Sequence, residues 1–181
     1  SFSSHKLYGP MGLGVLYGKK KILESLPPFL FGGDMVMRGD GDRLVYRKDS
    51  QKFEAGTQNL AAAMGLKAVM DFLNENQFEE LIEKERLLAA SLREKLAALE
   101  GIQILNKGRD SPITLFRSEH FGAYDIGVFL GLKNIAVRCG SHCAYPLMKR
   151  MELQIACRIS MGIYNTEEDV KRLITALKGL G

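Results

Sequence analysis

Apolar and polar positions along this 181-residue chain keep several different rhythms. The run Val15-Leu16-Tyr17, behind the glycine-rich bend Gly9 to Gly14, reads as a strand. Lys19 to Leu26 has the spacing of a short helix, which Pro27-Pro28 stops. From Phe29 to Lys52 the periodicity fades into Gly- and Asp-rich sequence, predicting a long loop with room for a hairpin. Helical spacing returns from Leu60 to Leu73, with Thr57 or Asn59 as the cap. A longer helix follows from Gln77 to Leu99, where Leu81, Ile82, Leu88, Leu92, Leu96 and Leu99 share one face and charges occupy the other.

From Gly101 the texture changes. Ile102 to Leu105 and Ile113 to Phe116 read as strands separated by a turn over Asn106 to Ser111. Tyr124 to Gly131 reads as a helix, Ile135 to Arg138 and Ile155 to Ser160 as two further strands. Asp169 to Leu177 is an amphipathic last helix opened by Thr166. The pattern predicts a compact α+β unit after the first part, with the boundary near Phe72 to Gln77.

Composition narrows the class. Hydrophobic residues make up 46% and charged residues 25%, enough for a packed core under a solvated surface. The net charge of +4 is modest. Its lysines and arginines are scattered, which argues against a nucleic-acid partner. No apolar run is long enough to span a bilayer. The 3 cysteines, without a secretory signal, suit a reducing, cytoplasmic setting. The first residue is not Met and the chain opens inside a strand-to-turn segment, so it reads as a fragment.

Candidate chemistry begins at Lys6, in the polar patch Ser3-Ser4-His5-Lys6 before the glycine bend. Small residues there let a cofactor or strand approach the backbone. A lysine partly desolvated in such a place loses its charge more easily and serves as an amine nucleophile. The glycines are not a nucleotide motif. Gly9, Gly12 and Gly14 do not spell G-x-G-x-x-G, and Gly18-Lys19-Lys20 does not complete a P-loop. Thr57 precedes a helix start, which is an anion site or simply a cap.

The second centre is Arg138-Cys139-Gly140-Ser141-His142-Cys143-Ala144. Positive neighbours, here His142 and Arg138, favour the thiolate of Cys143 and fit a nucleophile on a loop. Cys139, His142 and Cys143 match no standard zinc spacing, so no metal site is expected. Cys157 reads as a structural cysteine. Arg158, in an apolar strand, calls for an anionic partner such as a carboxylate.

Taken together, these segments resemble the C-terminal part of the SufS-like (group II) cysteine desulfurases and selenocysteine lyases, within the class V, fold-type I family of enzymes using pyridoxal 5'-phosphate. The resemblance covers essentially the whole chain. It is carried by Ser3 to Gly12, Phe53 to Asn59, Arg138 to Ala144, and Ala156 to Ser160 with Tyr164-Asn165-Thr166. It implies an α/β fold of the aspartate aminotransferase type: the end of the cofactor-binding large domain over 1–73, and a small α+β domain over 74–181 carrying the cysteine loop.

The same resemblance implies the roles. Lys6 would be the Schiff-base lysine and the proton carrier at the substrate α carbon. Ser3 and His5 would bind the cofactor phosphate, and Thr57 the phosphate of the partner subunit in a homodimer. Arg158 would grip the substrate carboxylate, with Arg138 lining the site. Cys143 would take sulfur from L-cysteine, leaving alanine and a persulfide for an acceptor protein of iron–sulfur cluster assembly. Two departures stand out: Ser141 where relatives commonly have histidine, and Gln58 where they have proline. The family's N-terminal half, with the aspartate expected at the pyridine nitrogen, lies outside this sequence, so the chain alone is expected to be incompetent. Other readings stay open: selenocysteine lyase, another class V activity such as an aminotransferase, or a non-catalytic interaction module.

Overall fold

The computed structural model describes residues 1–41, 43–106 and 110–180. They fold as two compact units, Ser1–Asn76 and Gln77–Gly181. No helix among the described residues is long and apolar enough to cross a membrane.

The first unit opens with β1 (Phe2–Ser3), paired antiparallel to β2 (Gly14–Val15). The expected strand through Tyr17 therefore stops two residues early. Its partner has only two residues to offer, and Tyr17 beyond the pairing is 86% exposed. Helix α1 (Lys20–Ser25) ends before the two prolines, as their missing N–H groups require. The weakly periodic stretch contains a hairpin of β3 (Val36–Asp40) and β4 (Arg43–Tyr46), with a bulge between Val36 and Arg38. A 3-10 turn over Ser50–Phe53 follows. Inside it Lys52 is buried, its Nζ donating to the Glu24 carbonyl at 2.9 Å. That bond ties the end of α1 to the segment leading to Thr57. Helix α2 (Leu60–Glu75) is capped by Asn59, whose Oδ1 accepts from the Ala62 N–H at 3.0 Å. Of the two caps the sequence offered, Asn59 is the one used.

The second unit is built on an antiparallel sheet of order β5-β6-β8-β7: β5 (Ile102–Ile104), β6 (Ile113–Ser118), β7 (Arg138–Gly140) and β8 (Ala156–Ser160). Helices α3 (Phe78–Ala97), α4 (Ala123–Leu132) and α6 (Glu167–Lys178) share a core with one face, around Leu92, Leu96, Phe116, Ile126, Leu130, Cys157 and Val170. A short helix, α5 (Tyr145–Arg150), sends Met148 to Leu115 and Ala156 on the other face. Alternation along β6 and β8 produces this division: Leu115 and Ala156 point one way, Phe116 and Cys157 the other.

Three expectations are corrected here. The strand foreseen over Ile135 to Arg138 is Arg138–Gly140, because register against β8 begins at Arg138. Helix α5 carried no apolar period and was not expected; Pro146 sits in its first turn, where a missing N–H costs nothing. Ile82 of α3 is 40% exposed, while Ala89 is buried in its stead. Within the turn expected over Asn106 to Ser111, residues 107–109 lie outside the described residues. Asn106 itself ties both arms, accepting from the Leu115 N–H at 2.9 Å and donating to the Ile113 carbonyl at 2.7 Å. Thr166 opens α6, as the sequence indicates, and does so through a reciprocal capping box with Asp169.

Leu92 is fully buried at the centre of the larger core. Truncating a leucine there removes transfer energy and leaves a cavity. Leu92→Ala is expected to cost about 2–5 kcal/mol, read as a lower denaturant midpoint at unchanged slope.

Candidate functional site

The residues singled out from the sequence fall into two groups, one in each unit. In the first, β1 and β2 clamp a tight bracket. The Ser4 N–H donates to the Leu13 carbonyl at 2.9 Å, and the Ser4 carbonyl accepts from Leu7 N–H at 2.9 Å and Gly9 N–H at 3.0 Å. Gly9 has no room for a side chain, since a Cβ would collide with Ser4 Oγ and press on its carbonyl at 3.1 Å. The bracket ends in a 3-10 turn, Ser4–Lys6, with Ser3 at its cap.

This turn buries Ser4 completely and leaves its Oγ without a partner. His5 and Lys6 are exposed on it. The expected desolvation of Lys6 is thus not provided by the residues of this unit. The turn's inward position belongs to Ser4, and Lys6 lies two residues further round. Lys6 makes no hydrogen bond or ion pair among the described residues, and the Ser3 side chain caps nothing. Thr57 is likewise exposed and unspent, because Asn59 does the capping. The four side chains expected to meet a phosphorylated aldehyde cofactor are therefore free of structural duties. They fit the group: one amine, and donors suited to phosphate oxygens.

The second group is assembled by the sheet. Arg138 on β7 and Arg158 on β8 are direct cross-strand partners. Like charges placed opposite one another repel, and neither guanidinium has an acidic partner among the described residues. The Nε of Arg158 is buried and unpartnered as well. Such a pair is suited to an anion, since a carboxylate would relieve the repulsion and accept the idle N–H.

Beyond β7 the backbone turns sharply. His142 has φ 58° and Cys143 φ 56°, consecutive left-handed residues that neither side chain favours. Three bonds hold the turn. The Ala144 N–H donates to the Ser141 carbonyl at 3.0 Å. The His142 Nε2 meets the Ala156 carbonyl at 3.0 Å. The Arg138 Nη2 donates to the Cys143 Sγ at 3.2 Å. Cys143 is thereby presented to solvent, pinned from both strands.

His142 plays a different part from the one its position suggested. Burial holds its imidazole below the ordinary value of 6.5, and the Arg158 and Arg138 charges add to this against the Ala156 bond. It is neutral rather than a second cation beside Cys143. A carbonyl only accepts, so Nε2 carries the proton and Nδ1, buried and unpartnered, carries the lone pair. Only the Arg138 half of the expected positive neighbourhood is present. No sequence signal marks His142 as a pin, because Ala156 lies fourteen residues away.

This has a pH consequence. A folded-state value below the unfolded one means the opened loop binds more protons, so protection is complete above about 6.5 and falls as pH drops through that value. Amide-exchange protection at Gly140 to Ala144 is expected to decline below pH 6.5. In His142→Gln, which keeps a donor but does not titrate, the decline should disappear. An equal decline in both proteins would rule the pin out.

Among the described residues no cluster of side chains could hold a metal ion. The aminotransferase class-V family model matches residues 1–173. A probable cysteine desulfurase of Xylella fastidiosa is 36% identical over 178 residues, covering 98% of this chain and 43% of the relative. One from Haemophilus influenzae is 38% identical, covering 98% and 40%. The crystal structure of the cysteine desulfurase CsdA from Escherichia coli superposes with a TM-score of 0.93 at 35% identity, over 98% of this chain and 44% of that one. The apo cysteine desulfurase of Thermococcus onnurineus also gives 0.93, at 28% identity, over 99% and 46%. The chain spans less than half the length of these relatives. The α/β fold expected from the sequence is the one observed.

Proposed function

We propose, from the premise that this chain belongs to the aminotransferase class-V family, that it carries the lysine, thiol and anion-binding groups of a pyridoxal phosphate-dependent cysteine desulfurase. The observation that carries this reading is the exposed Cys143 thiol, bonded to Arg138 and set beside the unpaired Arg138–Arg158 cations. Aminotransferase or epimerase chemistry has no use for such a thiol. Sulfur transfer does.

Pyridoxal phosphate, when bound, supplies an electron sink for the bonds around the amino acid's α carbon. Lys6 is the amine that would hold its aldehyde carbon and afterwards move a proton at the substrate α carbon. Ser3 and His5 would donate to the phosphate. Thr57 would do so for the neighbouring subunit in a homodimer. Arg158 takes the substrate carboxylate with its fork of donors, and Arg138 stands on the opposite strand as the second cation. Cys143, oriented by Arg138, attacks the substrate sulfur: an S–S bond forms, the C–S bond breaks, and the carbon skeleton leaves as alanine. One cysteine and one thiol become one alanine and one persulfide, so no outside oxidant or reductant is consumed.

Within the family we assign the chain to the SufS-like branch, on the Arg138 to Ala144 loop. The Cys143 persulfide would pass to an acceptor protein of iron–sulfur cluster assembly. Three free cysteines suit the cytoplasm as the setting.

The chain, complemented by the N-terminal half that the resemblance implies and loaded with pyridoxal phosphate, is to be given L-cysteine and dithiothreitol, and alanine and sulfide measured. Equal amounts of both are expected. L-selenocysteine consumed with L-cysteine untouched would make it a selenocysteine lyase. Amino transfer to a keto acid without sulfide would overturn the reading.

A further inference from the structure

Cys139 and Cys157 take no part in the chemistry assigned to Cys143. They are direct partners across β7 and β8, and their Sγ atoms lie 3.4 Å apart. Opposed residues of antiparallel strands have Cα atoms about 4.5–5.5 Å apart, inside the range of about 4.4–6.8 Å that a disulfide spans. Both sulfurs face α4. The Cys139 Sγ lies over Gly127, where an added Cβ would come within 2.9 Å of it, and the Cys157 Sγ donates to the Ala123 carbonyl at 3.4 Å. Two strands and a helix thus hold the thiols side by side. Cys139 is partly exposed and Cys157 fully buried, so a small oxidant meets Cys139 first. Burial pushes the Cys157 thiol up, which keeps it protonated and leaves Cys139 as the sulfur that reacts first.

We propose that Cys139 and Cys157 are a peroxide-responsive thiol pair that closes to a cross-strand disulfide at the base of the Cys143 loop. The Cys139 sulfur attacks one oxygen of hydrogen peroxide, breaking the O–O bond, and becomes a sulfenic acid; the departing hydroxyl leaves as water with the thiol proton. The Cys157 sulfur then attacks the Cys139 sulfur. The S–S bond forms, the S–O bond breaks, and the hydroxyl leaves as water with the Cys157 proton. Each thiol gives up one electron, and the peroxide takes both.

The location gives the link a consequence. Arg138, which holds the Cys143 Sγ, directly precedes Cys139, and Ala156, which holds His142, directly precedes Cys157. The disulfide would fasten these two anchor points to each other through an edge strand only three residues long. Its formation does not depend on the cofactor or on sulfur transfer, so it stands or fails separately from the function proposed above.

The test uses Cys143→Ser, which removes the exposed thiol, treated with hydrogen peroxide, alkylated and digested without reductant. Mass spectrometry is expected to find one cross-linked peptide pair joining Cys139 to Cys157, lighter than the reduced peptides by a pair of hydrogens. Dithiothreitol should abolish it. Adding Cys139→Ser, a partly exposed position that the fold tolerates better than buried Cys157, should prevent it. Cys139 carried on to sulfinic acid with Cys157 still alkylatable would overturn the proposal. So would both thiols remaining free, or Cys139 joined to a cysteine of another molecule.

Discussion

Lys6→Ala, in the chain complemented by the family's N-terminal half, is expected to lose the visible cofactor band that the unsubstituted protein develops with pyridoxal phosphate, and its turnover of L-cysteine is expected to fall about a thousandfold or more. The size follows from losing two functions at once. Positioned proton transfer alone contributes about 10²–10⁴-fold, and the covalent hold on the cofactor goes with the same amine. The fold should survive, because the exposed Lys6 side chain has no structural partner among the described residues. Borohydride reduction followed by peptide mapping checks the assignment directly. The label is expected on Lys6 alone, although Lys19, Lys20 and Lys21 are also exposed and lie close in sequence. Their position at the start of α1 gives them no fixed bracket. Label spread over those three, or a band that persists in Lys6→Ala, would remove Lys6 from the role.

Cys143→Ser, in the same complemented protein, is expected to lower sulfur release about a hundredfold or more while leaving cofactor trapping on Lys6 unchanged. Serine keeps the shape and can still accept from Arg138, but a hydroxyl is a far weaker nucleophile than a thiol at neutral pH. The separation of the two readouts matters. A substitution that merely disturbed the loop would not be confined to sulfur. Radiolabelled L-cysteine, followed by a non-reducing gel, should place label on the unsubstituted protein and none on Cys143→Ser. Label retained in the variant, carried by Cys139 instead, would move the nucleophile four residues upstream.

Much of this is legible in the sequence. The helical periods from Leu60 to Leu73 and from Gln77 to Leu99 became α2 and α3, and Thr166 opens α6 as its place before the acids indicates. Segments carrying Lys6 and Cys143 stood out by residue type and by the glycines around them. Where reading along the chain misled, the deciding contact was remote. Tyr17 is no strand because β1 is short, Ile82 is exposed where Ala89 is buried, and His142 is neutral because burial and the Arg158 and Arg138 charges disfavour its cation. A six-residue helix such as α5 has too few turns to show a period.

The sequence by itself determined the local elements, the turn residues and the chemical types available: an amine on a glycine-framed turn, a thiol on a loop, and arginines in or beside strands. These depend on dihedral preference and on spacing within a turn or two. Only the tertiary structure decided which of them meet. Register across β7 and β8 sets Arg138 against Arg158 and Cys139 against Cys157, joining residues eighteen or more positions apart. A shift of one residue would send all of them to opposite faces. Charge state, burial and partnership follow from that register, and no local pattern encodes it.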